Sequence, residues 1–138
     1  MAMALAKKID HVAIAVQDLD AAVRTFTANF GFPVERLGDV PALGIRRAFL
    51  SIGDAWLELF QPTGDQNPAG KFLAERGEGM YVLSLEVDDL SAAVNALASK
   101  GITVHVQQVP NGPKLGFISP KKTHGVLLQL LEHPRGTL

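Results

Sequence analysis

The chain has 138 residues, the length of one domain of ordinary size, and its hydrophobic content of 47% is too high for a disordered protein. Thirteen basic and fourteen acidic residues leave a net charge of −1 without a basic stripe, so we expect no nucleic-acid partner. There is no cysteine for a disulfide or a thiolate nucleophile. MAMALAKK at the start is too short and too weakly apolar for a signal peptide, and no apolar run reaches about 18 residues. We therefore expect no signal peptide, no membrane partner and a cytoplasmic location.

The first half of the chain predicts the element order βαβββ. The helix over 19–29 begins after Asp18, a favourable N-cap, and ends before Gly31. The last two strands are joined by a Gly53-Asp54 turn. In chain order, the predicted strands are 9–16, 34–37, 46–52 and 55–61. A connection then follows, with a short helix around 70–75.

The second half predicts the same order. A helix begins after Asp89 and ends at Gly101. The predicted strands are 80–87, 103–106, 114–118 and 125–132. The last two are joined by the longer loop SPKKTH.

The two halves also match in sequence. IDHVAIAVQDLDAAV at 9–23 aligns without a gap with MYVLSLEVDDLSAAV at 80–94, and WLELFQ at 56–61 aligns with LLQLLE at 127–132. Both matches have the same offset of 71 residues, which indicates an internal duplication. We therefore predict a single domain over 1–138, built from two repeats at about 8–61 and 79–132 that 62–78 joins.

Strand alternation sorts the side chains of each repeat onto two faces. Bulky aliphatic residues share the face that is expected to pack on the helices, whereas His11, Glu58 and Gln129 lie on the opposite face. At the offset of 71, His11 is equivalent to Val82, and Glu58 to Gln129. If the two sheets join around a shared axis, these four positions converge. Polar residues at three of them are the main functional signal of the chain.

A duplicated βαβββ unit with xDHxxIxV in its first strand resembles the vicinal oxygen chelate superfamily, which includes glyoxalase I, extradiol dioxygenases, bleomycin resistance proteins and methylmalonyl-CoA epimerase. The epimerase branch is the most similar, over nearly the whole chain. The matching segments are IDHVAIAVQDLDAAV, RRAFLSIGDAWLELFQP, GKFLAERGEGMYVLSLEVDDL and ISPKKTHGVLLQLLEHP. The resemblance implies an α+β fold in which the two βαβββ modules form a U-shaped mixed sheet with the helices outside, and it implies a homodimer.

The resemblance also implies a divalent metal, held by one residue from each of the four positions. His11 and Glu58 can serve as ligands and Gln129 as a weaker one, but Val82 stands where epimerases have a histidine. Three ligands and water could hold a hard ion such as Mg²⁺ or Mn²⁺, so the sequence leaves metal binding open. The missing histidine argues against the 2-His-1-carboxylate iron site of ring-cleaving oxygenases.

Two catalytic positions of the epimerase branch also differ. Gln129 replaces the glutamate of the last strand, and Arg47 aligns with a second catalytic glutamate. Epimerisation beside a thioester carbonyl needs a base on each face of the carbon, and neither an amide nor a guanidinium can take a proton at neutral pH. We therefore expect no methylmalonyl-CoA epimerase activity.

The leading hypothesis is an isomerase or lyase that acts on a small carbonyl or acyl-thioester substrate, such as an acyl-CoA. His11 and Glu58 are the candidate catalytic residues, with or without a metal. Without a metal, Glu58 either orients His11 or is itself the base. Alternatively, His11 and Glu58 form an ion pair that has only a structural role in the sheet.

Four residues are candidate substrate contacts. Arg47 could bind a substrate carboxylate with its planar guanidinium, and Gln129 could bind a carbonyl. Trp56 and Phe60 flank Glu58 on its own face, so they line the cavity or belong to a dimer interface. The same two aromatic residues support a second hypothesis, a non-catalytic binding protein of the bleomycin-resistance type that sequesters a small molecule.

Overall fold

The computed structural model describes residues 4–134, which divide into two compact units. The first-repeat unit runs from His11 to Tyr81. The second-repeat unit combines the chain up to Asp10 with the chain from Val82 onwards. Within residues 4–134, no helix has the length and the apolar character to cross a membrane.

Each repeat forms the predicted βαβββ order, and a short helix lies between the repeats. The elements are β1 (Lys8–Ala15), α1 (Leu19–Phe30), β2 (Val34–Val40), β3 (Ile45–Ile52), β4 (Ala55–Pro62), α2 (Pro68–Arg76), β5 (Gly79–Glu86), α3 (Leu90–Ala98), β6 (His105–Gln108), β7 (Lys114–Ile118) and β8 (Leu128–Glu132). The helix predicted around 70–75 is confirmed as α2.

The sheet of the first-repeat unit has the strand order β2-β3-β4-β1. β1 pairs in parallel with β4, and the other two pairs are antiparallel. One face of the sheet packs on α1 through an aliphatic core, in which Leu50 and Leu59 are fully buried. Each buried leucine of this kind stabilises the fold by roughly 1.5–3 kcal/mol relative to exposure. Because side chains alternate, the residue between Leu57 and Leu59, Glu58, lies on the opposite face.

The sheet of the second-repeat unit repeats this arrangement, with the order β5-β8-β7-β6. β5 pairs in parallel with β8, and the register is conserved between the units. Val12 is opposite Leu57, and 71 residues later Leu83 is opposite Leu128. The predicted α+β fold class with two βαβββ modules is therefore confirmed, and the single domain that would unite them stays a prediction.

Both long helices begin with the same pair of contacts. In α1, the Asp18 carboxylate accepts a hydrogen bond from a first-turn N–H at 3.1 Å, and Gln61 accepts one from the Leu19 N–H at 2.9 Å. α3 repeats the two contacts with Asp89 and Glu132. These acceptors satisfy N–H groups that an α-helix cannot bond internally. They also tie each helix to the end of its module's last strand.

The two edge strands differ from their predicted bounds. β2 continues to Val40, beyond the predicted 34–37, because its pairing with β3 extends to the Val40–Ile45 pair. β6 begins at His105, two residues later than predicted. Almost every residue of both strands is exposed, so no alternation of apolar and polar residues marks where they end.

β8 begins at Leu128, three residues after the predicted start at Gly125. The chain before it forms a 3₁₀ turn over Pro120–Lys122. His124 and Gly125 then have φ values of 59° and 95°, in the left-handed region that a strand cannot contain. The apolar run before Leu128 therefore belongs to the loop rather than to the strand.

The cap of α1 gives a test of this fold. We expect Asp18→Ala to lower the free energy of unfolding by about 1 kcal/mol, since the side-chain acceptor at the N-cap is lost. Urea denaturation of the whole chain measures the change. Asp18→Asn is the matched control, because its amide oxygen still accepts the bond. Equal losses for the two variants would contradict the capping role.

Candidate functional site

A buried carboxylate is the centre of the candidate site. Glu58 on β4 is only 6% exposed, and His11 on β1 is 5% exposed. The His11 Nε2 atom lies 3.5 Å from Glu58 Oε1, and an Arg47 Nη atom donates a hydrogen bond to Glu58 Oε2 at 3.3 Å. Both carboxylate oxygens thus face a nitrogen, which offsets the cost of removing the charge from water.

Strand register explains why these three side chains meet. β1 and β3 flank β4 on its two sides, and Glu58 is opposite Ala13 and Phe49. Arg47 is two residues before Phe49, so it shares the face of Glu58. Arg46 projects to the other face and forms an exposed ion pair with Asp39.

Phe49 is the aromatic wall of the site, and the sequence prediction did not include it. Its ring meets the His11 ring edge-on, with the centroids 5.5 Å apart, and it contacts the Trp56 ring at 6.2 Å. The Arg47 guanidinium lies 4.8 Å from the Phe49 centroid, and the Arg36 guanidinium lies 5.8 Å from it. The sequence could have indicated Phe49, because it is two residues from Arg47 and therefore lies on the same face of β3.

Phe60 lies in a second aromatic cluster of the same unit. It is only 3% exposed, and its ring centroid is 5.5 Å from that of Tyr81. Phe72 on α2 packs edge-on against Tyr81 at 5.0 Å. Burial raises the pKa of the Tyr81 phenol above its ordinary value of 10.0. The role of Phe60 as a wall of the substrate site stays a prediction.

The equivalent positions of the second-repeat unit carry no charge. Gln129 is buried, and its Oε1 accepts a hydrogen bond from the Ser84 hydroxyl at 2.7 Å. Val82 is buried as well. The structure therefore brings together His11, Glu58, Arg47 and Trp56 within the first-repeat unit. The convergence of both units on one cavity stays a prediction.

The donors of the first-repeat unit do not fit a resident divalent metal. They are one imidazole and one carboxylate, and the Arg47 guanidinium already lies 3.3 Å from that carboxylate. A cation held by Glu58 would be repelled by this neighbour. Gln129, the third predicted ligand, uses its carbonyl oxygen to accept the Ser84 hydroxyl. The Glu58 carboxylate is thus compensated by a guanidinium and an imidazole of the same unit.

A second group of ligand-type residues lies in the second-repeat unit and was not predicted from the sequence. Donor atoms of Asp10, Glu86 and His133 lie within 4.8 Å of one another. His133 Nε2 is 2.7 Å from Asp10 Oδ1, and the Lys7 ammonium is 3.3 Å from Glu86 Oε2. Since each carboxylate already has a basic partner, we interpret the group as an ion-pair network.

The arrangement in the first-repeat unit is suited to proton transfer beside an anion site. A buried carboxylate next to an imidazole forms an acid–base couple, since one group can take a proton while the other compensates the charge. Arg47 stacks on Phe49 and donates to Glu58, and its side chain is still 24% exposed. That exposed part can meet a negatively charged group of a ligand.

Comparison with known proteins gives consistent matches. Residues 10–118 match the family described as the Glyoxalase/Bleomycin resistance protein/Dioxygenase superfamily. The mitochondrial methylmalonyl-CoA epimerase of Homo sapiens is 33% identical over 127 residues, which cover 89% of this chain and 72% of that protein.

Two solved structures show the same fold. Methylmalonyl-CoA epimerase from Mycobacterium tuberculosis superposes with a TM-score of 0.89 at 32% identity, and the match covers 97% of this chain and 93% of that one. A methylmalonyl-CoA epimerase in complex with methylmalonyl-CoA and NH4+ gives a TM-score of 0.88 at 32% identity, over 94% and 96% of the two chains. The predicted resemblance is thus confirmed over nearly the whole sequence.

The ion pair between Arg47 and Glu58 can be measured by a double-mutant cycle. We expect Arg47→Met to lower the free energy of unfolding by roughly 1–3 kcal/mol, because Glu58 loses a charged partner while it stays buried. In a Glu58→Gln background, the same substitution should cost roughly 1 kcal/mol less. Urea denaturation gives all four values. Arg46→Met is the matched control, and a cost equal to that of Arg47→Met would argue against the buried pair.

Tyr81 is the only tyrosine of the chain, so its phenol can be titrated by ultraviolet absorbance. We expect phenolate to form at a higher pH in the native protein than in the denatured protein, because burial raises the pKa. Because the native state holds the proton more tightly than the denatured state, the free energy of unfolding keeps its full value below pH 10.0 and falls as the pH rises through the native pKa. Coincident titration curves for the native and denatured chains would contradict this, and Tyr81→Phe provides the blank.

Proposed function

Because the chain belongs to the glyoxalase/bleomycin resistance protein/dioxygenase superfamily, we propose that it is an epimerase-like enzyme, an isomerase or lyase that acts on an acyl-thioester substrate. The observation that carries the proposal is the buried Glu58 carboxylate between His11 and Arg47. Relatives named methylmalonyl-CoA epimerase, one of them in complex with methylmalonyl-CoA, support an acyl-CoA as the substrate class.

The His11–Glu58 couple would move the proton. It takes a proton from the carbon beside the thioester carbonyl, and the electron pair of the C–H bond shifts towards the carbonyl oxygen. The couple then returns the proton to the same carbon or to its neighbour. Its two groups are 3.5 Å apart and buried, so a charge formed on one is compensated by the other in a medium of low dielectric.

Arg47 and the aromatic rings would position the substrate. The guanidinium is held by Glu58 and by the face of Phe49, so its orientation is fixed before a ligand arrives. Phe49 and Trp56 give the site an apolar wall that excludes water from the reacting carbon. Positive charge beside the carbonyl also favours the enolate, in which the oxygen carries negative charge.

We further propose that methylmalonyl-CoA is not the substrate that the enzyme epimerises. Inversion at carbon needs proton transfer on both faces, and the first-repeat unit offers one couple. Val82, Gln129 and Arg47 stand at the positions where the family resemblance implies a histidine and two glutamates. None of the three can accept a proton at neutral pH.

The second candidate function is sequestration of a small molecule without turnover. It is favoured by the aromatic cluster, in which the rings of His11, Phe49 and Trp56 are in edge contact. Such a cluster can hold a planar ligand, and Glu58 would then serve only to anchor His11. The homodimer, the cytoplasmic location and the ligand-binding roles of Gln129 and Phe60 rest on the sequence and stay predictions.

Deuterium exchange tests the enzyme proposal. Whole protein is incubated in D₂O with a panel of acyl-CoA thioesters, and uptake at the carbon beside the carbonyl is followed by mass spectrometry. We expect uptake with at least one thioester, and Glu58→Gln and His11→Asn should each slow it by about 100-fold or more. Glu35→Gln removes an exposed carboxylate of β2 and is the matched control.

The same assay separates the alternatives. Tight binding of a thioester without exchange would support sequestration and contradict the enzyme. Rapid exchange with methylmalonyl-CoA, together with inversion of its configuration, would contradict the proposed exclusion of that substrate. A chelator should leave the exchange rate unchanged. Loss of activity that Mg²⁺ or Mn²⁺ restores would contradict the poor fit of the donors to a metal.

A further inference from the structure

Two arginines meet at one phenylalanine on the face that carries Glu58. The guanidinium carbons of Arg36 and Arg47 lie 5.8 Å and 4.8 Å from the centre of the Phe49 ring, distances at which a cation is attracted to an aromatic ring. We infer that Arg36 and Arg47 form an oxyanion clamp that makes the site selective for substrates with a negatively charged group. This inference deepens the proposed function, on which it rests, by naming the substrate class.

The charges of the two arginines are not balanced. Arg47 has Glu58 as its partner, whereas Arg36 forms no ion pair among residues 4–134. Arg46, which is next to Arg47 in sequence, is neutralised by Asp39 on the other face. One carboxylate for two guanidinium groups leaves excess positive charge beside the acid–base couple, and this excess attracts an anion.

The register of β2 on β3 leaves space for that anion. Arg36 is opposite Phe49, and Gly38 is opposite Arg47. Side chains at 36 and 38 point to the same face, so Gly38 removes the side chain that would stand beside the Arg47 guanidinium. A Cβ atom built at Gly38 would have no atom within 4 Å, which shows that the place is open.

The geometry selects the ligand chemistry. A guanidinium presents a planar row of N–H donors, which matches the two oxygens of a carboxylate or of a phosphate. Stacking on Phe49 restricts both side chains, so less conformational freedom is lost when the anion binds. An acyl-CoA can supply such a group either as a second carboxylate on its acyl part or as a phosphate of its carrier.

Binding of matched ligands to the whole protein tests the clamp by calorimetry. Malonyl-CoA and propionyl-CoA differ by a carboxylate in place of a methyl group, and CoA and dephospho-CoA differ by one phosphate. We expect the wild-type protein to prefer the charged member of at least one pair by about tenfold or more. Arg36→Gln, at an exposed position, should reduce that preference towards unity, whereas Arg46→Gln should keep it.

Gly38 provides a second, independent variant. Gly38→Glu places a carboxylate beside Arg47 and should abolish the preference, whereas Gly38→Ala adds only a Cβ atom with no neighbour within 4 Å and should retain it. Loss of the carboxylate preference in Arg36→Gln and Gly38→Glu identifies the acyl group as the source of the anion, and loss of the phosphate preference identifies the carrier. Absence of binding or of preference in the wild type, or equal effects of Arg36→Gln and Arg46→Gln, would overturn the clamp.

These outcomes do not depend on turnover, since binding is measured without exchange. A preference for charged ligands in a protein that catalyses no exchange would contradict the proposed enzyme and leave the clamp supported. Exchange without any charge preference would support the proposed enzyme and contradict the clamp.

Discussion

The buried carboxylate of Glu58 is the constraint on which the first-repeat unit depends. A carboxylate that is only 6% exposed must be compensated, or it would be protonated or would disrupt the sheet. Compensation comes from His11 on β1 and Arg47 on β3, the two strands that flank β4. The charge of Glu58 on β4 therefore requires a basic partner on each of the two neighbouring strands. It also orients the guanidinium that stacks on Phe49, and with it the wall of the site.

The second-repeat unit has an uncharged polar side chain at the position equivalent to Glu58. Its backbone repeats the register of the first, and Gln129 stands where Glu58 does. Ser84, opposite Gln129, donates to the amide oxygen at 2.7 Å, so the buried polar group is satisfied by a neutral partner. At equivalent positions, the first-repeat unit therefore has an ionisable centre and the second-repeat unit a neutral hydrogen bond. The same backbone therefore supports both a charged and a neutral side chain at one buried position.

Much of this could be read from the sequence because the strands that flank the core alternate regularly. The same alternation placed Glu58 on the face opposite the aliphatic residues, and the structure confirms this placement. Arg36 was missed because β2 is an exposed edge strand, whose pattern gives no sign of which side chains face the site. The contact of Phe60 with Tyr81 depends on packing between distant segments, which spacing along one strand does not encode.

Similarity to the epimerases shows the family and the fold, and the chemistry rests on the residues of the site. An identity of 33% places the chain in the same family, whereas the activity of a family member depends on the few residues of its site. Reactivity depends on few positions, and Arg47 stands at a position where the family resemblance implies a glutamate, which has the opposite charge. A guanidinium cannot accept a proton, but it binds and orients anions. Under the proposed function, this position therefore serves anion recognition, while His11 and Glu58 move the proton.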